Sequence, residues 1–139
     1  MDQQTSIKEF LAGEPHAVVG ASRDSSKIGN RVFQVYLQTN RPAFPVNPSA
    51  TQIEGHQAYP DLASLPKPVH GISVITPPHI SESIVEQAGA LGIKHIWFQP
   101  GAESPRAVAR ASELGMNVIS GGPCILVTLG YRDRRSPVL

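Results

Sequence analysis

A chain of 139 residues fits one domain, since domains most often run to about 100–150 residues. Hydrophobic residues make up 40% and charged ones 17%, which supplies a core and excludes a disordered, highly charged tail protein. With 12 Lys plus Arg against 11 Asp plus Glu, the net charge of +1 argues against a surface built to coat nucleic acid.

Taken in order, the chain alternates between two periods. Residues 5–12 read as a short leading helix. His16-Ala17-Val18-Val19-Gly20 is an apolar run stopped by glycine, the pattern of a buried strand. From Ile28 to Gln38 the apolar residues Val32, Val35 and Tyr36 fall at helical spacing, with Phe33 and Leu37 widening the stripe. Pro42 cannot continue that helix. Ala43-Phe44-Pro45-Val46 predicts a second strand, ended by Asn47-Pro48. Residues 49–68 read as irregular, with room for one short helix near Asp61 to Ser64. Gly71 to Ile75 predicts a third strand, stopped by Thr76-Pro77-Pro78. Ser81 to Leu91 predicts a helix ended by Gly92. Lys94 to Phe98 predicts a fourth strand. Ser104-Pro105 reads as N-cap and first residue of a helix reaching Leu114, and Asn117 to Ser120 as a fifth strand. The uncharged stretch from Leu114 to Tyr131 is broken by Gly121-Gly122-Pro123 and reads as strand, turn, strand rather than a membrane span.

Strands alternating with helices across short turns imply an α/β protein: a Rossmann-like, doubly wound parallel sheet of about five strands in three layers. The expectation is a single domain over residues 1–139, with its core at about 13–127 and a tail from 128. The first residues, Met1-Asp2-Gln3-Gln4-Thr5, lack the basic start and apolar run of a signal peptide. The single cysteine, Cys124, excludes an internal disulfide and suits a reducing compartment, so a cytoplasmic location is expected.

Sheets of this kind bind ligands beyond the carboxyl ends of their strands, so the turns after each strand carry the functional reading. After the first strand, Gly20-Ala21-Ser22-Arg23 leads through Lys27 and Gly29 into a helix. Small residues admit a ligand close to the backbone, and unpaired amides at a helix start suit a phosphate. Ser22 offers a hydroxyl, Lys27 a mobile charge, Arg23 a planar fork, and Gly29 tight helix packing. The plainer alternative is an ordinary loop with solvated cations. The pattern G-x-G-x-x-G is absent because positions 22 and 25 are serines, and no acid follows the second strand to hold a nicotinamide cofactor's ribose. Both absences count against an NAD(P)-dependent oxidoreductase. The G-x-x-x-x-G-K-[ST] pattern is also missing.

Gly20-Ala21-Ser22 with Lys27 and Gly29, Pro45-Val46-Asn47-Pro48, Ile75-Thr76-Pro77-Pro78, and Trp97 to Ala102 stand in order, each after a predicted strand. Together they resemble the stand-alone CoA-binding domain family, which is similar to the N-terminal domain of the succinyl-CoA synthetase alpha subunit. The resemblance covers roughly residues 13–127. It implies that the 20–22 turn and Lys27 hold the diphosphate of coenzyme A or an acyl-CoA. Asn47 and Pro48 would lie beside the adenosine, and Ile75, Thr76 and Pro77 would line the nucleotide's other side. The synthetase has a lysine shortly after the second-strand turn, where this chain reads Ser49-Ala50-Thr51. The synthetase's phosphohistidine domain has no counterpart here, so ligase chemistry is not implied and a binding protein is expected rather than an enzyme. A regulatory module that keeps the fold without the ligand is the remaining alternative.

Other residues give weaker signals. The histidines His16, His56, His70, His79 and His95 show no metal-ligand spacing, so no metal is expected. His79 reads as capping or exposed, with contact to the ligand as the alternative. Cys124 reads as a small buried packing residue, with exchange on a CoA disulfide as the alternative. Gln99 to Glu103 is either a pantetheine contact or a turn set by Pro and Gly. No G-x-S-x-G elbow or acid/base pair appears, so no catalytic residue is expected. The stretch Tyr131-Arg132-Asp133-Arg134-Arg135 reads as a solvated basic tail. No nucleic acid or membrane is expected as partner; a homodimer or a protein partner stays open.

Overall fold

The computed structural model describes residues 2–133. Five parallel strands form one sheet: β1 (His16–Val19), β2 (Ala43–Val46), β5 (Gly71–Val74), β6 (His95–Phe98) and β7 (Asn117–Ile119), in the order β2-β1-β5-β6-β7. A two-stranded antiparallel hairpin, β3 (Gln52–Ile53) and β4 (His56–Gln57), lies apart from it.

Alternation along each strand divides the core in two. Ala17, Val19, Ile72, Val74, Ile96 and Phe98 point to one face, where α3 (Pro78–Ala90) and α4 (Pro105–Glu113) pack through Val85, Ala88, Ala107 and Ala111. Val18 and Trp97 point to the other face. There α1 (Gln3–Leu11), α2 (Ile28–Gln38) and α5 (Ile125–Leu129) contribute Phe10, Val32, Phe33, Tyr36 and Ile125. Both faces are covered, which is why the central strands read as unbroken apolar runs. Within this core the Tyr36 hydroxyl pairs with the Ser73 hydroxyl at 2.8 Å, and burial pushes the phenol well above its ordinary pKa.

The doubly wound parallel sheet of five strands is as the sequence predicts, and the first, second and fourth helices form close to where it places them. Ser104 caps α4 by accepting from the Ala107 amide. Three local readings need correction. Helix α3 begins at Pro78, because proline at a first helical position loses only an amide that has no partner anyway. Residues 125–129 form α5, not a strand: Gln99 and the Trp97 indole, which donates to Pro123 O at 3.0 Å, hold the preceding turn so that α5 packs on the face of the sheet that α1 and α2 cover. The stretch 49–68 holds the β3–β4 hairpin as well as the short 3₁₀ turn Leu62–Ser64. Its turn, Glu54-Gly55, has positive φ at both residues, as a tight hairpin requires. After the hairpin, Tyr59 pairs along the free edge of β2, covering an edge strand that carries Pro45.

At the amino end of the sheet, His16, His70 and His95 gather beneath α1. His70 and His95 stack at 4.1 Å, and His16 lies 5.6 Å from His70. His16 and His70 bond through Nε2 to the carbonyls of Phe10 and Glu9, and Arg41 donates to Leu11 O. These contacts satisfy carbonyls that the last turn of a helix leaves without partners. His16 is fully buried with Nδ1 unpaired, and desolvation lowers its pKa to about 4.

Candidate functional site

Beyond the carboxyl ends of β1 and β5 the chain departs in opposite directions: α2 crosses to one face of the sheet and α3 to the other. Such a switch point opens a crevice between neighbouring strands. An open cleft of about 580 Å³ lies there, lined by Gly20, Ala21, Ser22, Ser26, Lys27, Ile28, Gly29, Asn47, Ile75, Thr76 and Pro77. Nine of the eleven residues singled out in the sequence therefore meet in one place. Arg23 lies in an adjoining hollow, with Ser22 and Asn47 common to both. Pro48 is exposed and lines neither of these two spaces.

Two glycines set the floor. Gly20 has φ +97°, and a Cβ there would stand 2.9 Å from the carbonyl of Ile75. A Cβ on Gly29 would stand 2.0 Å from Gly20 O. The start of α2 thus abuts the end of β1, closer than any side chain permits. Lys27 is the N-cap residue, and no side chain caps the helix. Asn30 and Arg31 donate their amides to Lys27 O, while the amides of Ile28 and Gly29 begin the helix without a side-chain acceptor. Bare amides, the positive end of a helix dipole and the exposed Lys27 together favour an anion.

The loop is shaped from within. Ser22 Oγ accepts from the Asp24 amide at 3.0 Å, and Asp24 Oδ1 accepts from the Ser26 hydroxyl at 2.6 Å and its amide at 2.9 Å. These donors, the hydroxyl first, hold the Asp24 carboxyl below its usual pKa, helped by the charge of Lys27. Asn47 donates to Ala21 O at 2.8 Å and accepts from the amides of Ser49 and Ala50. Its side chain ties the two loops together, a scaffolding part in addition to the place beside the adenosine that the resemblance implies for it. Thr76 is similarly bonded to Ser81 Oγ at 2.8 Å.

Sequence reasoning missed Asn30, Glu54 and Ile28. Asn30 is fully buried; its amide donates to Ser22 O at 2.9 Å and Glu54 Oε2 at 3.0 Å, and its carbonyl accepts from Gln34. The β3–β4 turn is thereby fastened to the first turn of α2. The available signal was the pair Asn30 and Gln34, four residues apart on the otherwise apolar face of α2. Ile28 is 44% exposed and lies between the main cleft and a second one of about 320 Å³. The second cleft reaches Gln99, Pro100, Gly101 and Ala102. Gln99 is buried; it donates to Cys124 Sγ at 3.2 Å and accepts from the Ile125 amide at 2.8 Å. Cys124 is half-buried at the start of α5. Glu103 accepts from the Gly101 amide, fixing that turn.

A groove of similar volume, about 590 Å³, runs between α3 and α4. There Glu86 and Glu113 pair with Arg110, and the exposed His79 sits at its end. It lies between the helices that cover one face of the sheet rather than beyond the strand ends, where sheets of this kind bind ligands. Among the described residues no group of three or more His, Cys, Asp or Glu side chains is placed to hold a metal, and no helix is long and apolar enough to cross a membrane. Arg134 and Arg135 of the basic tail lie outside the described residues. Just before them, Arg132 is held through its backbone by the Gln38 side chain.

Residues 15–130 match a family model described as CoA binding domain. The alpha subunit of an ADP-forming acetate–CoA ligase II from Pyrococcus furiosus is 27% identical over 120 residues, covering 78% of this chain and 26% of the relative. Across the curated ligases it matches, the chain spans 11% to 26% of their length. A conserved hypothetical protein from Pyrococcus furiosus has a structure superposing with a TM-score of 0.78 at 34% identity, covering 84% of this chain and 99% of that one. A dinucleotide-forming acetyl-coenzyme A synthetase 1 from Ca. Korarchaeum cryptofilum, solved with phosphate and ADP, superposes with a TM-score of 0.68 at 26% identity, covering 83% of this chain and 27% of that one.

Proposed function

This chain belongs to the CoA-binding domain family, and from that premise we propose that it binds coenzyme A or an acyl-CoA in the cleft between β1 and β5. The observation that carries the reading is the uncapped start of α2, set against Gly20 with Lys27 beside it. Coenzyme A brings a diphosphate, an adenine ring and a long uncharged arm. The diphosphate suits the amides of Ile28 and Gly29 and the ammonium of Lys27. Ile75 and Pro77 offer apolar surface for the adenine. The second cleft, entered past Ile28 and bordered by Pro100 and Gly101, accepts the arm.

On this reading the chain recognises its ligand and holds it. The ligase activity named for its longer relatives belongs to proteins of which this chain spans a quarter or less in most cases, and 26% at most. Calorimetric titration with coenzyme A, acetyl-CoA, NAD and ATP tests the assignment. Saturable binding of coenzyme A or its thioester, stronger than that of NAD and ATP, is expected. Binding of NAD alone overturns it.

A further inference from the structure

Coenzyme A carries a phosphate on its ribose besides the diphosphate, and the cleft at the start of α2 accounts for the diphosphate only. In folds of this class the ribose lies at the end of the second strand, and an arginine there accommodates a ribose phosphate where an acid would instead bind a free hydroxyl. Here the second strand ends in Asn47-Pro48-Ser49-Ala50, which contains no acid.

Facing those residues is a hollow of about 230 Å³, lined by Ser22, Arg23, Asp24, Asn47, Ser49 and Ala50. It joins the main cleft through Ser22 and Asn47. Arg23 supplies its positive charge; it is exposed and forms no ion pair with a carboxylate among the described residues. Asp24, the hollow's carboxylate, accepts two hydrogen bonds from Ser26 on one oxygen. Asn47 Oδ1 accepts from the Ser49 and Ala50 amides and so fixes the far wall. The hollow is therefore lined by a planar cation and by Ser49, whose hydroxyl is a further donor, and it opens into the main cleft through Ser22 and Asn47.

Resting on the reading of the main cleft as a coenzyme A site, we infer that Arg23 binds the ribose phosphate and gives this chain its preference for coenzyme A over dephospho-coenzyme A. The guanidinium comes from the loop after β1, and it supplies the charge that the Ser49-Ala50-Thr51 segment lacks. The 2′-phosphate of NADP presents the same chemistry, so the test includes it.

Titrate the wild-type chain and the Arg23→Ala and Arg23→Lys variants with coenzyme A, dephospho-coenzyme A, NADP and NAD, and confirm the fold of each by thermal melting. A charge-assisted bond of this kind corresponds to about tenfold or more in affinity. The wild type should bind coenzyme A about tenfold more tightly than dephospho-coenzyme A. Arg23→Ala should bring the ratio close to one, leaving dephospho-coenzyme A binding unchanged, and Arg23→Lys should restore part of it. An unchanged ratio in Arg23→Ala, or no preference in the wild type, overturns the assignment. Arg23-dependent preference for NADP over NAD without coenzyme A binding keeps the phosphate hollow and overturns the coenzyme A reading. Absence of binding by all four compounds overturns both.

Discussion

A Cβ added to Gly29 would lie 2.0 Å from the carbonyl oxygen of Gly20. The oxygen belongs to the residue directly after β1 and the glycine is the second residue of α2, so neither can yield without shifting the joint between strand and helix. Gly29→Ala should destabilise the fold by ~1–3 kcal/mol, the usual range for overpacking, and should weaken coenzyme A binding by displacing the amides of the first turn. Denaturant unfolding and calorimetry read the two effects. Full stability with full affinity would show that this close approach is unimportant.

Lys27 is exposed and its side chain makes no capping bond. Lys27→Ala should leave the melting temperature nearly unchanged and weaken coenzyme A and dephospho-coenzyme A alike, by about three- to tenfold for a partly solvated charge contact. The loss should shrink as salt is added. Equal affinity by calorimetry would remove Lys27 from the site.

Gln99 and Cys124 share a hydrogen bond but differ in what depends on them. Cys124→Ser keeps a small polar acceptor for the Gln99 amide and should leave coenzyme A binding nearly unchanged. Gln99→Leu strips the Ile125 amide of its acceptor and should cost ~1–3 kcal/mol, since that amide is buried. Unfolding curves for the two variants check the contrast. A large loss of binding in Cys124→Ser would point instead to thiol chemistry with the ligand.

His16 titrates differently in the folded and unfolded chain. Its ordinary pKa of 6.5 is lowered to about 4, by desolvation first and then by the nearby positive charges of His70, Arg41 and His95. Desolvation also lowers His95, which faces His70 and Glu9. Between these values the unfolded chain takes up a proton that folded His16 refuses. Stability is thus fully present above about pH 6.5 and is lost as pH falls toward 4, by ~3 kcal/mol for His16. Denaturant unfolding across this range should show the slope, and His16→Gln should flatten it. An identical slope in the variant would assign the effect to other groups.

Much of this was legible in the chain itself, for identifiable reasons. The strands are short apolar runs ended by glycine or proline, and Ser104-Pro105 marks a helix start without ambiguity. The loop from Gly20 to Gly29 could be read because small residues there follow a strand and precede a helix. What escaped depended on contacts distant in sequence. The β3–β4 hairpin has two-residue strands, too short for any alternation, and its Glu54 acquires meaning only on reaching Asn30. Helix α5 is apolar and brief, so periodicity cannot separate it from a strand; Gln99 and Trp97, on another element, decide the matter. Asn47 was visible as a site residue, but its grip on Ala21 was not.

The departure of the two crossovers to opposite faces of the sheet has a structural consequence. The walls of the cleft descend from α2 on one side of the sheet and from Ile75 and Thr76, which lead to α3, on the other. A molecule lying across them would therefore touch, at once, the start of the helix that covers one face and the segment that leads into the helix covering the other.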